Sequence, residues 1–521
     1  MKRELKNLAL AFSSANLCLL AVWRRLILAT STDKFLARNH TSNDFLSILL
    51  NVLLFTSLFW VVLALGQRSK RRYVQTSSRW LPMYSFFFPV YLLSRSDPAL
   101  HLQNRLLVLV GRNGVILAVL LAGLALLGAF WRWHLQLRRG AEILLFFAAP
   151  LFLIVACTAV WHLFTTSTAV SAAGRIPGRS LKVEHTGPRV VWLVFDEMDQ
   201  RLTFAQRPPN LQLPELDHLR RESLYGSNVH SPGRETLLCL PSLITGKVAT
   251  RYKPVRSNEL MLTFKDEQQP VRWSTQPNLF TAAGEAGLST ALVGWYLPYC
   301  RVFPGMLTSC SWEAFGDPAD ERTSTLSGTM LHQLLAILPL SSRVDHVREY
   351  QTLLEQAKQA VSDPTLNLVL VHLPVPHGPA IYERKTGDFT VFANRTDWYL
   401  DNLALADHAL GELRRSMESG RVWDGTTVLL TSDHPWRRSR TYDRKADPRV
   451  PFLLKMAGHN ESIAYDSAFN NIVTRDLLWA VLRGEFSDPN NLAVWLQERD
   501  RVSTSKQASV GLQPQLQRLE K

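Results

Sequence analysis

Hydrophobic and polar positions divide this chain into two unlike parts. Long, nearly uninterrupted apolar runs occupy about residues 8–23, 45–66, 113–131 and 142–165, each near the ~20 residues a helix needs to cross a bilayer. A weaker run at 80–93 is rich in Phe and Tyr but contains Pro82 and Pro89. Residues 167–187 are rich in Ser, Thr, Ala and Gly and read as a linker. From 188 onward, short apolar runs alternate with amphipathic stretches. Strands are expected at 189–195, 289–294, 366–372, 426–431 and 450–455, and helices at 212–222, 236–245, 276–286, 328–337, 347–361, 398–418 and 470–483. That alternation predicts a mostly parallel sheet with helices on both faces. The segment 484–521 reads as a C-terminal extension, with a polar, Gln-rich tail from about 503.

Charge sharpens this division. The chain of 521 residues carries a net charge of +14, yet residues 1–166 hold 18 of the 58 basic and 5 of the 44 acidic side chains, so nearly all the excess lies among the apolar runs. Such a distribution reads as membrane orientation and excludes nucleic-acid binding. Counting 80–93 as a span gives five helices. Lys2, Arg3 and Lys6, then Arg68 to Arg79, then Arg132, Arg138 and Arg139 fall on the cytoplasmic side, and the large C-terminal domain falls outside. With four spans, 80–93 being interfacial, the domain would lie inside. The five-span reading predicts a multi-pass protein of a bacterial inner membrane with its domain on the periplasmic side. Of five cysteines, Cys18 and Cys157 lie in apolar runs. Cys300 and Cys310 flank a turn-rich loop suited to a disulfide in an extracytoplasmic domain.

The candidate chemistry sits where strands end. Asp196-Glu197 follows one apolar strand and Asp433-His434 another, offering oxygen and nitrogen ligands to a divalent ion. In parallel sheets, ligands gather beyond the carboxyl ends of strands. Thr236 opens a predicted helix after the turn-prone Ser231-Pro232-Gly233. It can be an N-cap, or a nucleophile whose hydroxyl a metal activates where helix N–H groups receive an anion. His377 follows the strand at 366–372.

In their order these pieces resemble the alkaline phosphatase superfamily in its sulfatase-like branch. They are most similar to membrane-anchored phosphoethanolamine transferases and lipoteichoic-acid-synthase-like enzymes. The resemblance covers roughly 188–483 and rests on the strand ending at Asp196, Leu213-Pro214-Glu215-Leu216-Asp217-His218-Leu219, the helix ending in Thr245-Gly246, Pro376-His377-Gly378-Pro379, Ser432-Asp433-His434 and Val450-Pro451. It implies a sulfatase-like α/β domain in which Asp196, Asp433, His434 and Thr236 bind a divalent metal, zinc before manganese, magnesium or calcium. Glu197 is a further ligand candidate. Thr236 would be the nucleophile, ten residues before Gly246, and His377 would contact the leaving group, with His372 as its substitute. The implied activity is transfer of a phosphoethanolamine or glycerol-phosphate group from a membrane lipid to an envelope glycan or lipid through a threonine-linked intermediate. Hydrolysis of phosphodiesters or sulfate esters is the alternative, and a non-catalytic membrane protein reusing the fold is the second.

Several departures qualify the resemblance. A sulfatase places Cys or Ser followed by x-Pro-Ser-Arg at the nucleophile; here Thr236 precedes Leu237-Leu238-Cys239-Leu240. Cys239-Leu240-Pro241-Ser242 imitates that motif three residues late and lacks the Arg. The Gly-Lys-Trp-His segment appears as Gly294-Trp295-Tyr296-Leu297, and Pro435 replaces the Gly after Asp-His. The last metal ligand is missing, with Arg437, Asp443, Lys445 and Asp447 as the nearby candidates.

Overall fold

The computed structural model describes residues 2–94, 97–166, 187–316, 325–338, 340–392, 397–486 and 488–499. The linker expected at 167–187 lies almost wholly outside the described residues, and so does the tail from about 503.

The C-terminal part is built on an eight-stranded sheet. In chain order its strands are β1 (Arg189–Phe195), β2 (Leu224–Gly226), β3 (Thr290–Trp295), β4 (Ser309–Glu313), β5 (Leu368–Leu373), β6 (Thr426–Ser432), β7 (Phe452–Lys455) and β8 (Ile463–Tyr465). They lie in the order β8-β2-β7-β6-β1-β5-β3-β4. The strands from β6 to β4 run parallel, whereas β7 pairs antiparallel with both β6 and β2. The segment between β6 and β7 holds the short helix Ser439–Asp443 and returns the chain antiparallel to β6.

Strand β1 shows why the sheet is covered twice. Every residue of it is buried. Val190, Trp192 and Val194 join one core with Leu240, Leu243 and Leu477. Val191, Leu193 and Phe195 join the other with Leu353, Leu403 and Leu410. The strict alternation of a strand therefore meets an apolar layer on each face. The helices Thr236–Thr245, Leu279–Glu285 and Thr474–Leu482 cover the first face, and Pro214–Arg221, Ser341–Ser362 and Trp398–Ser419 the second. The sequence reading overlooked a three-stranded antiparallel sheet, Ala249–Arg256, Glu259–Phe264 and Val271–Arg272. Its signal was the alternation in Glu259–Phe264, whose Leu260, Leu262 and Phe264 are buried.

Two features of this domain carry stability predictions. Cys300 and Cys310 are joined in a disulfide. Replacing Cys300 with Ser frees a loop of 10 residues' separation, which in the chain-entropy model costs about 2–3 kcal/mol. The midpoint of urea unfolding is expected to fall accordingly. Asp407 receives the backbone N–H groups of Leu216 (2.8 Å) and Glu215 (3.4 Å), which start the Pro214–Arg221 helix. Burial pushes its carboxyl up from 3.8 to about 7. A carboxyl raised on folding contributes stability that is full below 3.8 and is lost as pH rises toward 7. Thermal unfolding between pH 4 and 7 should therefore show a smaller decline in Asp407→Asn than in the parent; an unchanged slope would contradict this.

The N-terminal part is helical. Among the described residues, two helices, Ser42–Arg68 and Asn113–Thr165, are long and apolar enough to cross a membrane, and the pair Arg3–Cys18 and Leu20–Leu26, bent by 66°, makes a third if counted as one. This differs from the five separate spans expected. The run at 80–93 is split between Arg72–Tyr84 and Phe87–Ser94, neither reaching the length of a span. The runs 113–131 and 142–165 follow one another in one helical stretch of 53 residues, kinked at Trp133. The segment between them, 132–141, contains Gly140 but no Pro and is otherwise rich in Arg, Leu and Gln, which favour helix. The backbone there departs from helical geometry only at Trp133 (φ −122°, ψ 15°).

Candidate metal centre and nucleophile

Three adjacent parallel strands, β6, β1 and β5, bring the site together. Their register places Ser432 beside Phe195 and Phe195 beside Leu373. The next residues, Asp433 and Asp196, consequently leave the sheet at one level, with His372 one position inside. All three are buried, and each offers a ligand atom within 4.8 Å of the others. Asp196 Oδ1, Asp433 Oδ2 and His372 Nε2 have no hydrogen-bond partner. Buried carboxylate oxygens and an imidazole nitrogen left unpaired around one point fit a divalent cation.

Thr236 begins the helix Thr236–Thr245. Its Oγ1 lies 3.3 Å from Asp196 Oδ2 and 3.3 Å from His434 Nε2. The N-cap position belongs to Glu235, and no side chain caps this helix. Thr236 is therefore turned into the cluster. The helix closes at Gly246, whose φ of +72° suits glycine, which has no Cβ to clash.

His434 completes the first row of side chains. Its Nε2 is 3.3 Å from Asp433 Oδ2, and Pro435 O lies 3.1 Å from its Nδ1. Asp433 Oδ1 in turn receives the backbone N–H of His434 and that of Glu197.

The electrostatics follow from packing acids together. Burial opposes ionisation of Asp196, but the adjacent His372, with His377 and His434, holds its carboxyl below the usual carboxylate range. Asp433 is pushed up by burial and by the neighbouring Asp196. Burial pulls His434 down, yet Asp433 and Asp196 outweigh it and raise the imidazole. One acid held ionised beside another driven toward its neutral form marks a centre short of positive charge.

Glu197 is not among the three residues whose ligand atoms converge. Its backbone is left-handed (φ +62°), unusual for a residue with a side chain. Its carbonyl accepts from Tyr399 OH at 2.7 Å. That turn swings the carboxylate toward Arg437, whose Nε donates to Glu197 Oε1 at 2.6 Å. Arg437 is thus the counter-ion of Glu197. Arg437 itself is half exposed at the rim, and Asp196 and Asp433 act on its charge as well as Glu197. The remaining candidates for a last ligand are engaged elsewhere or exposed. Asp443 pairs with Arg201 at 2.6 Å, Asp447 with Arg449 at 2.6 Å, and Lys445 is exposed.

Histidine roles also divide. His372, weighed in the sequence only as a substitute for His377, stands inside the cluster, its Nε2 3.5 Å from Asp196 Oδ2 and its Nδ1 2.9 Å from Tyr299 OH. The available signal was a single polar residue near the end of the otherwise apolar β5. His377 is partly exposed at the edge. Its backbone N–H donates to Asp196 O, and its ring lies 5.1 Å from that of Trp295 and 6.3 Å from that of Phe315. Cys239 is fully buried, and burial together with Asp433 pushes its thiol well up. A thiol kept protonated in the core is no nucleophile.

The comparisons agree with this architecture. The sulfatase family model matches residues 188–480. The chain belongs to the sulfatase family. With it comes membership of the alkaline phosphatase superfamily, whose members use a divalent metal, and the buried Asp196–His372–Asp433 group of this sulfatase-family domain is compatible with one. No curated protein matches the chain in sequence. Among solved structures, it is similar to Ps i-CgsB in complex with k-i-k-neocarrahexaose, at 15% identity over 58% of this chain and 74% of that one (TM-score 0.42). It is also similar to the phosphonate monoester hydrolase of Agrobacterium radiobacter, at 13% identity over 57% and 74% (TM-score 0.37). A third is an alkaline phosphatase superfamily protein from Vibrio parahaemolyticus, at 15% identity over 59% and 69% (TM-score 0.38).

Proposed function

We propose that this sulfatase-family protein is a membrane-bound, metal-dependent enzyme that moves a phospho-group from a lipid donor to an envelope glycan or lipid through an ester on Thr236. The observation that carries the reading is the Thr236 hydroxyl, 3.3 Å from both Asp196 Oδ2 and His434 Nε2 at the start of a helix. Threonine cannot become the formylglycine on which sulfate-ester hydrolysis in this family depends. The position offers an alkoxide nucleophile instead. Asp196, Asp433, His434 and His372 would hold the ion, zinc being favoured by their oxygen and nitrogen atoms. Once bound, a divalent ion would lower the pKa of the Thr236 hydroxyl and polarise a non-bridging ester oxygen.

The side chains then divide the work. Asp196 and His434 orient the hydroxyl. Thr236 attacks once its hydroxyl proton has passed to water, and as the Oγ1–P bond forms the bond from phosphorus to the donor alcohol breaks. His377, held at the rim by its backbone bond to Asp196 O, gives a proton to the departing alkoxide. The Arg437 fork supplies donors to the phosphoryl oxygens where the lysine and histidine of the Gly-Lys-Trp-His segment are missing. An acceptor hydroxyl then attacks phosphorus and passes its proton to His377, and the P–Oγ1 bond breaks to restore Thr236. The apolar helices Ser42–Arg68 and Asn113–Thr165 would keep the site near lipid-borne donors.

Mass spectrometry of the full-length protein incubated with phosphatidylethanolamine and phosphatidylglycerol vesicles tests the reading. The expected result is a phospho-headgroup mass on the peptide containing Thr236 and its appearance on an added glycan or lipid. Release of the headgroup phosphate into water alone would make the protein a hydrolase. Turnover without any adduct at Thr236, under conditions that trap intermediates, would sink the covalent scheme.

A further inference from the structure

The helix Leu326–Leu335 is packed the wrong way round for a water-soluble domain. Its two buried residues are polar, Thr329 and Gln333. Leu331 and Leu335, with Leu338 in the turn that follows, are exposed, Leu331 to 56% and Leu338 to 53%. Spaced i, i+4 and i+7, they form one stripe on the outer side. A helix in water turns its leucines inward and leaves its glutamine out.

What lies against the polar side explains the inversion. Gln333 Nε2 donates to Asp44 O at 2.9 Å, Asn51 Nδ2 donates to Gln333 Oε1 and to Met330 O at 3.1 Å each, and Ser47 Oγ donates to Leu326 O at 3.4 Å. Ser47 and Asn51 belong to the apolar helix Ser42–Arg68 and are themselves fully buried. The catalytic domain's helix thus lies along the first turns of a candidate membrane span, as far as Asn51, about 13 Å from Ser42. It accepts from Ser47 Oγ and Asn51 Nδ2, donors that the span would otherwise turn into hydrocarbon. Further along that span Leu53, Leu54 and Leu58 are exposed as the Leu331 stripe is. Arg343 Nη1 donates to Val391 O at 2.6 Å, bringing the exposed Phe389 and Phe392 to the start of the helix that follows Leu338.

We infer that Leu331, Leu335 and Leu338 form a lipid-contact face, with Leu326–Leu335 lying in the acyl boundary of the bilayer that Ser42–Arg68 enters. The catalytic domain would then be seated with one edge in lipid rather than tethered above it. This rests on the membrane reading of the Proposed function. It adds a surface of the catalytic domain that no apolar run in the sequence marks.

The test uses the full-length protein with Cys157 replaced by Ser, leaving Cys18 and Cys239 buried. Single cysteines at Leu331, Leu58 and Gln359 (an exposed position on Ser341–Ser362) carry an environment-sensitive fluorophore. The proteins are reconstituted in phosphatidylethanolamine–phosphatidylglycerol vesicles with brominated acyl chains. The expected result is loss of emission at Leu331→Cys comparable to that at Leu58→Cys, with none at Gln359→Cys. Quenching at Leu58→Cys without quenching at Leu331→Cys would overturn the inference while leaving the span intact. No quenching at Leu58→Cys would overturn the membrane reading and this inference together. Equal quenching at Gln359→Cys would show general adsorption and overturn it too.

Discussion

Thr236→Ala is expected to abolish turnover of a phosphodiester substrate, by about a thousandfold or more, while leaving the unfolding temperature nearly unchanged. The two halves of this result separate the competing readings of the residue. Were Thr236 an N-cap, its loss would cost the helix about 1 kcal/mol and would touch activity only indirectly. The cap position is Glu235, however, and the Thr236 hydroxyl bonds Asp196 and His434, not the backbone of its own first turn. Thr236→Ser, which keeps the oxygen, should recover part of the activity. Steady-state rates and thermal scans on both variants are enough to decide. Full activity in Thr236→Ala would end the covalent proposal.

The second large effect belongs to His372. His372→Ala should weaken divalent-metal binding by at least about a hundredfold and lose activity with it, whereas His377→Ala should keep its metal and lose turnover. The reason is position. His372 lies on β5 with an unpaired Nε2 facing Asp196 and Asp433, and its ring is oriented by Tyr299 through Nδ1. His377 stands at the rim, within reach of a leaving group. Metal analysis of the purified protein, followed by competition with a chelator, distinguishes the two. Stoichiometric metal of unchanged affinity in His372→Ala would remove that residue from the ligand set.

Much of the domain was legible from the chain because it is written in short-range terms. An apolar run such as Val190–Phe195 that stops at an acid states both that a strand is buried on two faces and where it ends. The helix from Thr236 to Thr245 was readable from its turn-prone lead and the glycine that closes it. The N-terminal apolar runs were equally visible. Their division into helices was not, since nothing in a run's composition says whether the chain turns between 131 and 142 or continues.

The choice among neighbouring residues at the centre was decided only in three dimensions. Asp196 and Glu197 are equivalent as letters, but Glu197 pairs with Arg437, 240 residues away, while Asp196 meets His372 and Asp433. His372 and His377 are separated by register across β1 and β5. Cys239 is excluded by the core that closes over its helix. Composition and periodicity act over a few residues and set where strands and helices stand. Which side chains then face a common point depends on pairings hundreds of residues apart, and those the linear order does not contain.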